Sequence, residues 1–112
     1  MEQNESVYMA IVQLVCTEFG IEPHDLHSKC RGRNLVRARQ MLCFMAQQYT
    51  SLTLTAIGQR LNRDHTTVIH SLNTMNDAIK LYEGVRNRAH ALDQELREML
   101  TYIKKVDMQN PR

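Results

Sequence analysis

The sequence predicts an all-α fold: a compact multi-helix domain with a helix-turn-helix at its centre and a longer C-terminal helical extension. Three patterns lead to this. Leu54, Ile57 and Leu61 recur at i, i+3 and i+7, and after the turn residues Asn62, Arg63 and Asp64 a second stripe follows at Val68, Leu72, Met75 and Ile79. Upstream, Val7, Ile11, Leu14, Val15 and Phe19 share one helical face. Downstream of Gly84, Val85, Ala89, Leu92, Leu96, Met99, Ile103 and Val106 alternate steps of four and three. Two short helices joined by a brief turn form the unit whose second helix can lie in the major groove of a duplex.

Taken in order, the first helix is expected over Ser6–Phe19, stopped by Gly20, and Pro23 suits the first turn of a brief helix over Pro23–His27. Lys29–Asn34 reads as a basic loop with Gly32 as its flexible point. Asn34 is a candidate cap for a third helix over Leu35–Tyr49, with Leu35, Ala38, Leu42, Met45 and Tyr49 inward and Arg37, Arg39, Gln40 and Gln47 off that stripe. Thr50–Thr53 is a polar connection in which Thr53 caps the helix that begins near Leu54. Asn62 is suited to the left-handed conformation that ends that helix, and Gly58 to a close helix crossing. Asp64 is the expected N-cap of the second helix of the pair, His65 to about Tyr82, offering oxygen to Thr66 or Thr67 N–H. The last helix is expected to fold back onto the domain, although its four-three stripe leaves weak self-association through 85–106 open.

At 112 residues the chain fits one domain, 1–106, followed by a disordered tail at 107–112. Net charge is only +2, yet the 38 residues from Leu26 to Arg63 carry seven basic side chains and no acid, +7 against −5 elsewhere. A field of one sign confined to one region marks where a polyanion docks. No apolar run is long enough to span a bilayer, and the opening MEQNES lacks a signal-peptide layout, so no membrane partner is expected. Cys16, Cys30 and Cys43 show no CxxC spacing, which suits a reduced cytosol. His24, His27 and Cys30 have a spacing compatible with zinc, but a closed site wants four ligands and no fourth is in view. They are expected to be scattered surface residues, with no metal and no cofactor. His65 and His70 belong to no identifiable nucleophile–base–orienter set, so an enzyme is not expected.

The stretch RDHTTVIHS, Arg63–Ser71, resembles the signature RDHTTV-x-H of the DNA-binding C-terminal domain of the bacterial replication initiator DnaA. The resemblance extends upstream through SKCRGRNLVRARQM, Ser28–Met41, then LTAIGQRL, and more loosely from Val7 to about Ile103. It implies a Trp-repressor-like helix-turn-helix and sequence-specific binding of double-stranded DNA at a DnaA-box-like site, linked to replication initiation or its regulation, in the bacterial cytosol or on a phage or mobile element. Carried over by position, it makes Arg31 the minor-groove residue, with Arg33 as substitute, and gives Asp64, His65 and Thr66 base contacts in the major groove. It assigns Arg33, Arg39, Gln40, Arg63, Thr67 and His70 to phosphates, together with the backbone N–H groups of Leu54 and Thr55.

Three departures stand out. Asn62 alone stands where the family commonly has two glycines, Gln47 where a lysine often touches phosphate, and Ala38 where proline is common. No GxxxxGK[ST] occurs, so no ATP site is expected in this chain. The resemblance therefore covers the initiator's DNA-binding domain, as a free-standing relative or an excised piece. The alternative is a transcriptional regulator or a helical protein-interaction module that has lost DnaA-box specificity.

Overall fold

The computed structural model describes residues 2–109, with side chains from 4 to 105. Six helices follow one another: α1 Glu2–Phe19, α2 Pro23–Leu26, α3 Arg33–Tyr49, α4 Leu54–Arg60, α5 His65–Leu81 and α6 Glu83–Gln109. There is no strand among the described residues, and no helix there is long and apolar enough to cross a membrane.

α3 is the central helix, packed between α1 and α5, while α4 lies on α5 and α6 closes the other side across α1 and α5. Having neighbours on two sides widens its buried face beyond a single stripe, so Met41, Cys43 and Ala46 are buried along with Ala38, Leu42 and Met45. Ile11 and Val15 of α1, Ile57 of α4, Val68 of α5 and Leu92 and Leu96 of α6 meet them in one apolar cluster. Arg60 ties α4 to α1, paired with Glu5 and lying 5.2 Å from the centre of the Tyr8 ring.

Helix ends follow local chemistry, with some shifts from expectation. α1 begins at Glu2, ahead of Ser6, and its first turn is held by Asn4, which donates to Ser51 Oγ at 2.7 Å and accepts from Ser51 N–H at 3.2 Å. It ends at Gly20, in the left-handed region at φ 65°, with Ile21 N–H bonded to Cys16 carbonyl at 3.0 Å. Asn34 does not cap α3, whose N-cap is Gly32. Its amide reaches back 2.7 Å to the Phe19 carbonyl and satisfies the end of α1 instead.

The break expected at Gly84 falls at Tyr82, a single extended residue after which α6 starts directly. Its amide bonds back to Ala78 and its carbonyl accepts from Arg86, so one residue serves both helices. α6 buries Ala89, Leu92 and Leu96 against α1 and α5, so the seam that left self-association open is committed to its own domain through Leu96. Val106, the last residue of that stripe, lies outside the described side chains. α6 runs to Gln109, because the first helix breaker after Gly84 is Pro111; of the expected tail, 110–112 lie outside the described residues.

Candidate nucleic-acid interface

The α4–turn–α5 unit is set by three small devices. Thr53 Oγ1 accepts from Ala56 N–H at 3.0 Å and starts α4. Asn62, at φ 57°, turns the chain in the left-handed region. Gly58 allows the close crossing: a Cβ there would lie 2.5 Å from the Arg63 carbonyl oxygen, while Arg63 N–H bonds to Gly58 carbonyl at 2.8 Å.

Asp64 caps α5. Its Oδ1 accepts from Thr67 N–H at 2.9 Å and from Thr67 Oγ1 at 3.1 Å. These bonds favour the charged form, so the carboxyl sits below the usual carboxylate range, and His65 adds to the same effect. Both bonds fall on one oxygen, which leaves the second free to accept from another donor. Capping and reading a base amino group are therefore compatible duties for one carboxylate. Asp64, His65, Thr66 and His70 are all exposed. Thr67 is exposed too, but its N–H and hydroxyl are both directed at Asp64, which leaves it no donor for a phosphate. It holds the Asp64 carboxylate in place.

The basic loop between α2 and α3 is organised by Arg39. This residue, matched by resemblance to a phosphate contact, is instead only 6% exposed. Its Nε donates to Leu26 carbonyl at 2.7 Å, Nη1 to Cys30 carbonyl at 2.7 Å, and Nη2 to the carbonyls of Asp25 and Ser28 at 2.8 and 3.0 Å. Burial, and then the nearby Arg63, push its pKa down. Arg63 is also occupied, with Nη1 bonded to Leu61 carbonyl at 2.8 Å and Nη2 to Ser28 carbonyl at 2.7 Å. Ser28, outside the set of residues expected to form the site, is thus the acceptor on which two guanidinium groups meet. Arg31 and Arg33 project from the loop exposed, and no carboxylate lies within ion-pair distance of these four arginines among the described residues.

A cleft of about 280 Å³ lies between this loop and the start of α5, lined by Arg31, Arg39, Arg63 and Thr67 together with Leu61, Val68 and Ser71. Cys43 forms part of its wall. Burial pushes that thiol up to about 12, so it is an inert wall group and not a nucleophile. The structure therefore brings the loop and the first turn of the second helix onto opposite sides of one cleft. Gln40 is not part of it; half-buried, it faces a separate hollow with Arg37, Phe19, Tyr82 and Arg88. Leu54 and Thr55 open α4, where N–H groups have no acceptor within the helix. His24 stands 3.4 Å from Asp25, and among the described residues no three His, Cys, Asp or Glu side chains gather to hold a metal.

A signal for the inward turn of Arg39 existed: it lies four and seven residues before Cys43 and Ala46, both buried, and so on the same face of α3. No comparable signal announced Ser28, whose part is played by a backbone carbonyl.

Residues 8–75 match the family described as bacterial dnaA protein helix-turn-helix. The chain is 31% identical over 101 residues to the chromosomal replication initiator protein DnaA of Bacteroides fragilis, an overlap of 89% of this chain and 20% of that protein. It is 31% identical over 87 residues to the same-named protein of Caldanaerobacter subterraneus subsp. tengcongensis, covering 78% and 20%, and 37% identical over 89 residues to that of Oleidesulfovibrio alaskensis, covering 76% and 19%. The chain thus spans about a fifth of the length of these relatives.

Proposed function

Because this chain belongs to the bacterial DnaA helix-turn-helix family, we propose that it binds double-stranded DNA at a DnaA-box-like site, in a role tied to replication initiation or its regulation. The observation that carries this reading is the exposed polar turn Asp64-His65-Thr66 at the start of α5, beside a cleft that Thr67 of the same turn lines together with Arg31, Arg39 and Arg63, arginines with no carboxylate within ion-pair distance among the described residues.

In this reading α5 enters the major groove. Asp64 accepts from a base amino group through its free oxygen, His65 meets base edges, and Thr66 contacts a thymine methyl or nearby backbone. Arg31 enters the adjacent minor groove, drawn by its negative potential. Arg33, Gln40 and His70 hold phosphates, as do the N–H groups of Leu54 and Thr55 at the positive end of α4. A helix in one groove and an arginine in the next make the contact asymmetric, which suits one copy on a non-palindromic site.

The test is fluorescence anisotropy with a duplex carrying a DnaA box and a scrambled duplex, at two salt concentrations. Tight binding to the box is expected, with a log–log salt slope near −5 if about six phosphates are neutralised. Arg31→Ala should weaken binding and relax specificity at the groove edge. His65→Ala should lower discrimination by about 1–3 kcal/mol. Equal binding to both duplexes would refute DnaA-box recognition and leave only a basic surface.

A further inference from the structure

We propose that Arg39 and Arg63, by converging on the Ser28 carbonyl, form a positioning clasp that sets the distance between the basic loop and the start of α5, and hence the separation of the two DNA grooves the domain reads. This rests on the duplex-binding reading above and deepens it: the two residues act through Arg31 and α5.

The loop has few anchors of its own beyond the turn at Ser28, whose Oγ donates to Asp25 carbonyl and accepts from Cys30 N–H. Lys29, Cys30, Arg31 and Gly32 are exposed, and the nearest buried anchor is Leu26 at the end of α2. Four carbonyls, of Asp25 and Leu26 at the end of α2 and of Ser28 and Cys30 in the loop, instead converge on the one guanidinium of Arg39. Only arginine fits this: five N–H donors in a rigid fork reach several acceptors at once, whereas a lysine ammonium is a single point.

Arg39 fixes the loop to α3, and Arg63 fixes it to the helix-turn-helix. Arg63 immediately precedes the Asp64 cap, and its guanidinium spans Leu61 carbonyl on its own turn and Ser28 carbonyl across 35 residues of sequence. A carbonyl oxygen has two lone pairs, so Ser28 accepts from both arginines without either bond excluding the other. The single left-handed residue Asn62 separates the Leu61 acceptor from Arg63, so the length of this turn determines whether one guanidinium reaches both carbonyls. No other side-chain hydrogen bond among the described residues joins the segment 28–32 to the helix-turn-helix. Holding two cations on one carbonyl, with no carboxylate within ion-pair distance of either among the described residues, is an unfavourable arrangement in isolation. It makes sense where a polyanion lies against the same surface.

The test uses the full chain and the variant Arg63→Lys, which keeps the charge but replaces the two Nη atoms that meet the two carbonyls with a single nitrogen. Two duplexes are compared: the preferred site, and the same site with 2,6-diaminopurine replacing adenine beneath the loop. The replacement adds an amino group in the minor groove and leaves the major-groove edge in place. The native chain is expected to prefer the unmodified duplex about tenfold, and Arg63→Lys to reduce that preference to about twofold, with discrimination among bases under α5 retained. If affinity for both duplexes falls equally and the preference is unchanged, Arg63 is a phosphate contact and the clasp is wrong.

A second measurement needs no DNA: trypsin cleavage after Arg31 should be at least about fivefold faster in Arg63→Lys, because the loop then opens locally. Arg39→Lys, checked for folding by circular dichroism, should do the same. Unchanged cleavage in both variants overturns the clasp. A native chain with no duplex preference, but with the cleavage difference present, would instead refute the DNA-site reading and keep the clasp.

Discussion

Gly58→Ala tests whether the close approach of α4 to the start of α5 is a physical necessity. The new Cβ would lie 2.5 Å from the Arg63 carbonyl oxygen and 3.3 Å from both the carbonyl carbon and oxygen of Asp64. Ordinary carbon–oxygen contacts begin at about 3.3 Å, so the backbone of Arg63 must retreat by roughly 0.8 Å. The atoms it would meet are all backbone, and the same residue is pinned by the 2.8 Å bond from Arg63 N–H to Gly58 carbonyl and leads straight into the Asp64 cap. Overpacking of this kind costs about 1–3 kcal/mol, offset by about 1 kcal/mol from the better helix propensity of alanine. Net destabilisation of up to about 2 kcal/mol follows, a fall in Tm of roughly 4 °C per kcal/mol for a domain of this size. Gly84→Ala is the matched control, since that helical position has nothing within 4 Å of the new Cβ. It should be neutral or stabilising by up to about 1 kcal/mol. Thermal and urea unfolding followed by circular dichroism measure both. A Gly58→Ala chain that gains stability as Gly84→Ala does would refute the steric argument, and with it the geometry assigned to the helix pair.

Asp64→Ala should lower stability at neutral pH, and Asp64→Ser, which can still cap α5, should recover part of it. The Asp64 carboxyl is depressed in the folded chain, so its contribution is present above the unfolded-state value and lost as pH falls through the folded one. Urea midpoints of the native chain and Asp64→Ala should therefore converge on acidification below about pH 4; a gap that persists would show that the charge of Asp64 is not what stabilises the helix. Leu96→Ala removes a fully buried side chain that α6 brings to the core, and should cost about 2–5 kcal/mol with a Tm independent of protein concentration. A concentration-dependent Tm in the native chain would show that α6 also pairs with another copy.

Periodicity alone locates the helices, because an apolar side chain at every third or fourth residue can only be buried on one helical face. That holds for Ile11 and Val15, for Ile57 and Leu61, and for Leu92 and Leu96, all of them buried where their stripes put them. Local chemistry is just as legible where a residue acts on its own turn. Thr53 and Asp64 cap the helices they precede, Gly20 ends α1, and Asn62 takes the left-handed conformation. The polar turn Asp64-His65-Thr66 and the acid-free basic stretch are likewise plain in the order of the residues.

Contacts between distant segments are not legible in this way. Asn34 stands just before an apolar stripe and looks like a cap, yet it lies inside α3 and its Nδ2 donates to the carbonyl of Phe19 on another helix. Arg39 belongs to a basic run and looks solvent-facing, yet folding surrounds it with four carbonyls from the end of α2 and the loop that follows. Arg63 reads as a surface cation, yet its partner Ser28 is 35 residues away and offers a backbone atom that no side-chain pattern records. The amino-acid order thus settles which segments are helical, roughly where they begin and end, and which surface is basic, since each depends on residues within a turn or two of one another. Which of those basic side chains face solvent and which hold the loop is settled by tertiary folding, because a guanidinium goes to whichever acceptors the folded chain brings within hydrogen-bond reach.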